Sequence, residues 1–217
     1  MKRLFALALV SLLMLGCKKP TDAPVISPQS TAPYDAATPL VAFTEAREAA
    51  AKLDWKRFCG YLTPQARDTL AASLTIAGNM IRRITSAADQ SNEDISQETH
   101  RKADPIIQVL TKHKIATNVL SSADDDQAHA LPSHKFIDGI VASIEDRDQF
   151  VADMLDAMTE LESVRPTISF KGSLVNVNIE GDTATATVEQ MHQGKMESES
   201  LSFRKIDGNW RIEFNLQ

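Results

Sequence analysis

Cysteine is scarce in this sequence: two in 217 residues, Cys17 and Cys59, which excludes the dense disulfide framework of small secreted scaffolds. A basic excess is missing too, since 23 Lys and Arg stand against 29 Asp and Glu, for a net charge of −6. Without a basic stripe the chain lacks the electrostatic footprint that binding to a phosphate backbone requires, so nucleic acid is excluded as a partner. The longest greasy run, Leu4 to Leu15, spans 12 residues. A membrane-spanning helix needs about 20. Familiar catalytic signatures are also absent: no Gly-x-Ser-x-Gly elbow, no phosphate-cradling glycine loop, no His-Glu-x-x-His run.

What the first forty residues do contain is an address. Lys2 and Arg3 precede the run from Leu4 to Leu15, and Gly16-Cys17 closes it. A positive start, a short apolar core and a small residue at the cut make a secretory signal over 1–16. The stretch "LMLGC" resembles the lipobox of bacterial lipoproteins. That resemblance implies a diacylglycerol thioether on Cys17, cleavage before it, and acylation of the new amino terminus. Two or more acyl chains hold a protein durably, at about 0.8 kcal/mol per buried methylene. Lys18 follows the cysteine where inner-membrane retention favours aspartate, so the resemblance implies the periplasmic leaflet of the outer membrane. Loss of Lys2 and Arg3 leaves 21 basic against 29 acidic residues, a net of −8. With Cys17 lipidated, no intramolecular disulfide can form, and the place of Cys59 beside Phe58 and Tyr61 marks it as a small buried apolar residue.

Residues 17–39 hold five of the nine prolines (Pro20, Pro24, Pro28, Pro33, Pro39) among Ser, Thr and Ala. Such a stretch buries too little apolar surface to offset ordering and favours extended polyproline conformations. At about 3.1 Å per residue it reaches roughly 60–70 Å. It reads as a tether. The remaining residues, 40–217, suffice for one core and are expected to form a single α+β domain.

Residues 40–165 carry mainly helical patterns. Phe43, Ala46, Ala50 and Leu53 recur at helical spacing. Thr63-Pro64 and Asp104-Pro105 each pair a capping residue with a first-turn proline. After the first pair, Ala66, Leu70, Leu74, Ala77, Ile81 and Ile84 form an apolar stripe, with Arg67, Asp68, Arg82 and Arg83 expected outside. A last helix is predicted from Asp146 to Val164, with Val151, Met154, Leu155, Met158 and Leu161 inside. Residues 114–145 are ambiguous between helix, strand and loop.

From Thr167 the period changes to two. Val175, Val177 and Ile179, then Ala184, Ala186 and Val188, then Leu201 and Phe203, then Trp210, Ile212 and Phe214 alternate with polar neighbours. Asp207-Gly208 marks a tight hairpin, Glu180-Gly181-Asp182 a second turn, and "MHQGKMES" a longer loop between the middle strands. The pattern predicts an antiparallel four-stranded meander over 166–217, its greasy face covered by the preceding helices.

The order "AREAAAKLDWKRFCGYLTPQAR", then "VNVNIEGDTATATVEQ" and "ESLSFRKIDGNWRIEF", resembles the nuclear transport factor two-like superfamily, a cystatin-like α+β cone. The resemblance covers roughly 40–75 and 170–217. It implies a cavity between helices and sheet, lined here by Val177, Ala186, Val188, Phe203, Trp210 and Ile212. Enzymes of that superfamily place Asp, His or Tyr on inward strand positions, and here every such position is apolar. No catalytic residue, cofactor or metal is therefore assigned. The Asp124–Asp126 run fails the calcium-loop template, which wants Gly sixth and Glu twelfth but meets His129 and Lys135. His129 and His134 lack a zinc spacing, and His100, His113 and His192 are expected at the surface. The reading is a membrane-anchored envelope lipoprotein whose non-enzymatic domain binds a partner protein or small apolar ligand. The rivals are an enzyme drawing on Tyr61 or His113, and an inhibitor protecting the cell against a secreted toxin.

Overall fold

A computed structural model describes residues 35–90, 97–116, 134–159, 172–192 and 194–213. Helices come first and a four-stranded antiparallel sheet last, the α+β arrangement that the change of period implies. The chain divides into two compact units, one drawing on residues up to Thr63 and on Pro166–Asn215, the other chiefly Pro64–Arg165.

The first unit holds α1 (Pro39–Ala51), α2 (Trp55–Gly60) and the strands β1 (Ser173–Glu180), β2 (Thr183–His192), β3 (Lys195–Ile206) and β4 (Asn209–Glu213). Thr38 starts α1, its hydroxyl accepting from Val41 N–H at 3.2 Å, with Pro39 in the first turn. Asp54 caps α2 the same way, accepting from Arg57 N–H at 3.1 Å. The strands pair in the order β1-β2-β3-β4. Helix α1 contacts β4 and β1, and its buried side is Pro39, Ala42, Phe43, Ala46, Ala49 and Ala50.

Two features of the sheet depart from the sequence reading. In β1, the register breaks between Val175 and Asn178, and Asn176 sits at φ +53°. Asn176 and Val177 together face the single residue Ala186, a bulge that changes the strand's parity. Leu174, not Val175, therefore pairs with Val188, and Val175 moves to the other face opposite Thr187. Between the middle strands no long loop exists. The ladder runs out to His192–Lys195 with two residues between them. The outer part of that arm is exposed, so burial never imposed an alternation there for the sequence to display.

The free side of β4 is closed by segments from the amino-terminal part of the unit. Trp210 N–H donates to Ala36 O at 2.9 Å, Ile212 N–H to Tyr61 O at 2.8 Å, and Thr63 N–H to Ile212 O at 2.9 Å. Ala36 N–H in turn donates to Asn209 Oδ1 at 3.0 Å. An open row of strand amides invites pairing with another chain, and these bonds remove it.

The second unit is helical: α3 (Pro64–Gln90), α4 (Gln97–Lys112), α5 (His134–Val141) and α6 (Arg147–Thr159). Helix α3 starts at Pro64 as the capping signal predicts, but α4 does not start at Pro105. It begins eight positions earlier, at Gln97, and carries Pro105 inside. The proline removes the N–H that would bond the Arg101 carbonyl, and this gap falls at an exposed residue.

The α3 stripe holds at Ala66, Leu74 and Ala77 and fails at Ile84, which is 60% exposed. Because α3 packs on α4, α5 and α6, its buried surface is wide and takes in Ala71, Thr75 and Asn79. Asn79 is satisfied there, donating to Thr75 O at 3.0 Å and accepting from Arg82. Arg82 is not a free surface cation, because it also donates to Ala116 O at 3.0 Å. Asp146 caps α6 by accepting from Gln149 N–H at 3.0 Å, and Val151, Met154, Leu155 and Met158 are buried as predicted. Leu161, Asp124–Asp126 and His129 lie outside the described residues.

Candidate functional site

The cross-strand register assembles one face of the sheet from rows of partners. One row reads Ile179, Ala184, Phe203, Ile212; the next sets Ala186 against Leu201; a third joins Leu174 to Val188. Ala184, Ala186, Val188, Leu201, Phe203, Trp210 and Ile212 are all buried. Five of the six residues named as a cavity lining (Ala186, Val188, Phe203, Trp210, Ile212) therefore sit buried on this face. Val177 does not join them. It is 40% exposed on the edge strand β1, and Ile179 beside it is exposed too. Among the described residues, ionisable groups take register positions on this face beyond its apolar rows: Glu199 opposite Val188, with Glu197 and Lys195 farther out on β3, and Lys205 opposite Trp210 with its ammonium 6.0 Å from the indole.

The polar chemistry of this unit lies between α1 and α2. Arg57 donates to Glu45 Oε2, and the Tyr61 hydroxyl donates to the same oxygen at 3.4 Å. Burial raises the Tyr61 phenol above its usual range, against the opposing pull of Arg57. The hydrogen bond with Tyr61, aided by Glu45, raises Arg57 further, so both stay protonated at neutral pH. A phenol held protonated in this way is a poor general base. Cys59 is fully buried. Trp55 is buried as well, against the edge of Phe58, and its indole N–H has no hydrogen-bond partner.

The second unit holds the other titratable cluster. Asp153 Oδ2 accepts from Lys112 Nζ at 2.7 Å and lies 2.7 Å from His113 Nε2, while Oδ1 accepts from Gln149 Nε2 at 2.8 Å. His113, expected at the surface, has a side chain only 10% exposed, because its ring packs edge-on against Phe150 at 5.2 Å. Burial pushes the Asp153 carboxyl up, but the hydrogen bonds from Lys112, His113 and Gln149 outweigh it and hold the pKa at about 2. Nothing near Asp153 in sequence marks this link to a residue 40 positions away. Tyr61 and His113, the two candidate proton donors, belong to different units.

Among the described residues, no group of three or more His, Cys, Asp or Glu is placed to hold a metal ion, and no helix is long and apolar enough to cross a membrane. No family model matches the chain, and neither a curated protein nor a solved structure is similar enough to count as a match.

Proposed function

We propose that this chain is a lipid-anchored envelope protein, attached through Cys17 and held off the membrane by the residues between Cys17 and Ala36, whose folded part binds a partner protein or a small apolar ligand and catalyses no reaction. The sequence supports the anchor through "LMLGC" after a signal-like run. One observation carries the binding reading: the sheet face formed by Ala184, Ala186, Val188, Leu201, Phe203, Trp210 and Ile212 is apolar across its buried extent. Among the described residues, two titratable clusters hold elements together, Glu45 with Arg57 and Tyr61, and Asp153 with Lys112 and His113. The nuclear transport factor two-like resemblance belongs to this proposal, supported by a meander that ends on Gly208, Trp210 and Ile212.

Two measurements test it. Expressed in a Gram-negative host, the full chain incorporates labelled palmitate and sediments with outer membranes, and Cys17→Ser abolishes both; a wild-type chain free of label removes the anchor. Crosslinking of the membrane-bound chain, followed by analysis of the captured envelope proteins and lipids, is expected to recover one dominant species. Recovery of none removes the binding role.

A further inference from the structure

We infer that the tip of the β2–β3 hairpin binds a soft monovalent metal ion, Cu(I) or Ag(I), between the thioethers of Met191 and Met196. The register places these residues directly opposite each other. They stand one step in from the closing pair His192–Lys195. Antiparallel ladders alternate, so the position next to a hydrogen-bonded closing pair is the non-hydrogen-bonded one, where Cα atoms approach to about 4.5 Å and side chains are nearest. Each methionine has three rotatable bonds, so both sulfurs converge on one ion without moving the backbone.

Packing does not explain the pair. Met191 is 54% exposed and Met196 59%. Among the described residues the arm has no third strand at this height, since pairing with β1 stops at Glu189 and pairing with β4 stops at Ser202. Two large apolar side chains thus face water at the end of a two-stranded arm. Thioether sulfur is a neutral, polarisable donor that selects soft ions over zinc, calcium or magnesium. Glu189, two positions before Met191 on the same face, adds negative charge beside the pair. Because thioethers carry no proton to lose, this binding is independent of pH through the range where imidazole and thiol sites weaken.

The test is a titration of silver nitrate into the full chain carrying 13C-methyl methionine, followed by NMR. Cys17→Ser and Cys59→Ala are present throughout, because thiols outcompete thioethers, and unshifted Met154 and Met158 signals verify the fold. The Met191 and Met196 methyls are expected to move together and saturate at one equivalent, equally at pH 5.5 and 7.5, with no response to zinc. Met191→Leu and Met196→Leu each weaken binding at least tenfold. Still methyl signals, independent saturation at two equivalents, or an unchanged Met196 response in Met191→Leu overturns the inference. If Cys59→Ala unfolds the chain, the same methyl shifts are read in the Cys17→Ser chain alone.

Discussion

Asp153 and His113 sit 2.7 Å apart, on α6 and just past the end of α4, and Lys112 closes on the same carboxylate oxygen. The folded-state pKa of about 2 lies below the ordinary 3.8. A depressed carboxylate stabilises the fold above its unfolded value and ceases to do so as pH falls through the folded one. This cluster therefore contributes on the order of 1–2 kcal/mol above pH 4, discounted for the solvent that reaches Lys112, and the contribution fades towards pH 2. Asp153→Asn is expected to cost about that much at pH 7 and much less at pH 2.5. Urea unfolding of both chains at both pH values reads the difference; an equal penalty at the two pH values refutes the assignment.

Phe203 lies between Ala184 and Ile212 in the central row of the sheet and is almost fully buried. Truncation to alanine removes its contacts and leaves a cavity, at a cost of about 3–5 kcal/mol. Both tryptophans, Trp55 and Trp210, belong to the same unit as Phe203, so tryptophan fluorescence during denaturant unfolding reports this loss. A penalty under about 1 kcal/mol would contradict the packing described.

Gly172 has no room for a side chain. A Cβ there would stand 2.5 Å from Val188 Cγ1 and 2.6 Å from the backbone oxygen of Glu189. Backbone cannot swing aside as a side-chain end does, so Gly172→Ala is expected to destabilise by about 2 kcal/mol or more. Its own carbonyl accepts from Arg47 at 3.4 Å, and displacement loosens that bond to α1 as well. A thermal melt of the alanine variant suffices to check it.

Leu53 ends α1 at φ +58°, half exposed, while Asp54 N–H reaches back to Ala49 O at 2.9 Å. The turn needs a left-handed residue, which costs a side-chain-bearing amino acid about 1–2 kcal/mol and glycine almost nothing. Leu53→Gly is expected to raise stability by about 0.5–1 kcal/mol after the entropy of the unfolded chain is counted. A lower melting temperature would show that Leu53 contributes contacts that outweigh the strain.

Cys59 is fully buried and lies one turn inside α2. Ellman's reagent is expected to leave it unmodified in the native chain and to modify it stoichiometrically in urea. Rapid native reaction would mean that α2 opens far more readily than its packing implies.

Much of the first unit was legible because its physics is local. Alternation revealed the four strands, Asp207-Gly208 revealed one hairpin, and Thr63-Pro64 announced the start of α3, whereas the caps Thr38 and Asp54 were not singled out. The β1 bulge was not legible, since a parity change leaves the greasy residues in place and only register shows which face they share. The outer arm of β2 and β3 escaped because exposed strands need no hydrophobic alternation. Proline in α4 looked like a start because composition alone does not show whether a helix carries a proline inside it. The wide buried face of α3, with Asn79 inside it, depends on three neighbours that no single-helix pattern reveals. At the apolar face, residue type indicated what points inward, while Val177 and Ile179 are exposed on the edge strand β1, a place in the sheet that their residue types do not reveal.

Ala36 clips the amino-terminal segment to Trp210 and Asn209 at the rim of the sheet. If the chain is anchored as proposed, drag on the body bears on this clip before it reaches α1. The tension lands on the strand that carries Trp210 and Ile212, so pulling on the leash would strain the apolar face before it reached the far edge at β1. A bound partner and a taut leash would then be mechanically coupled, each altering how firmly the other holds.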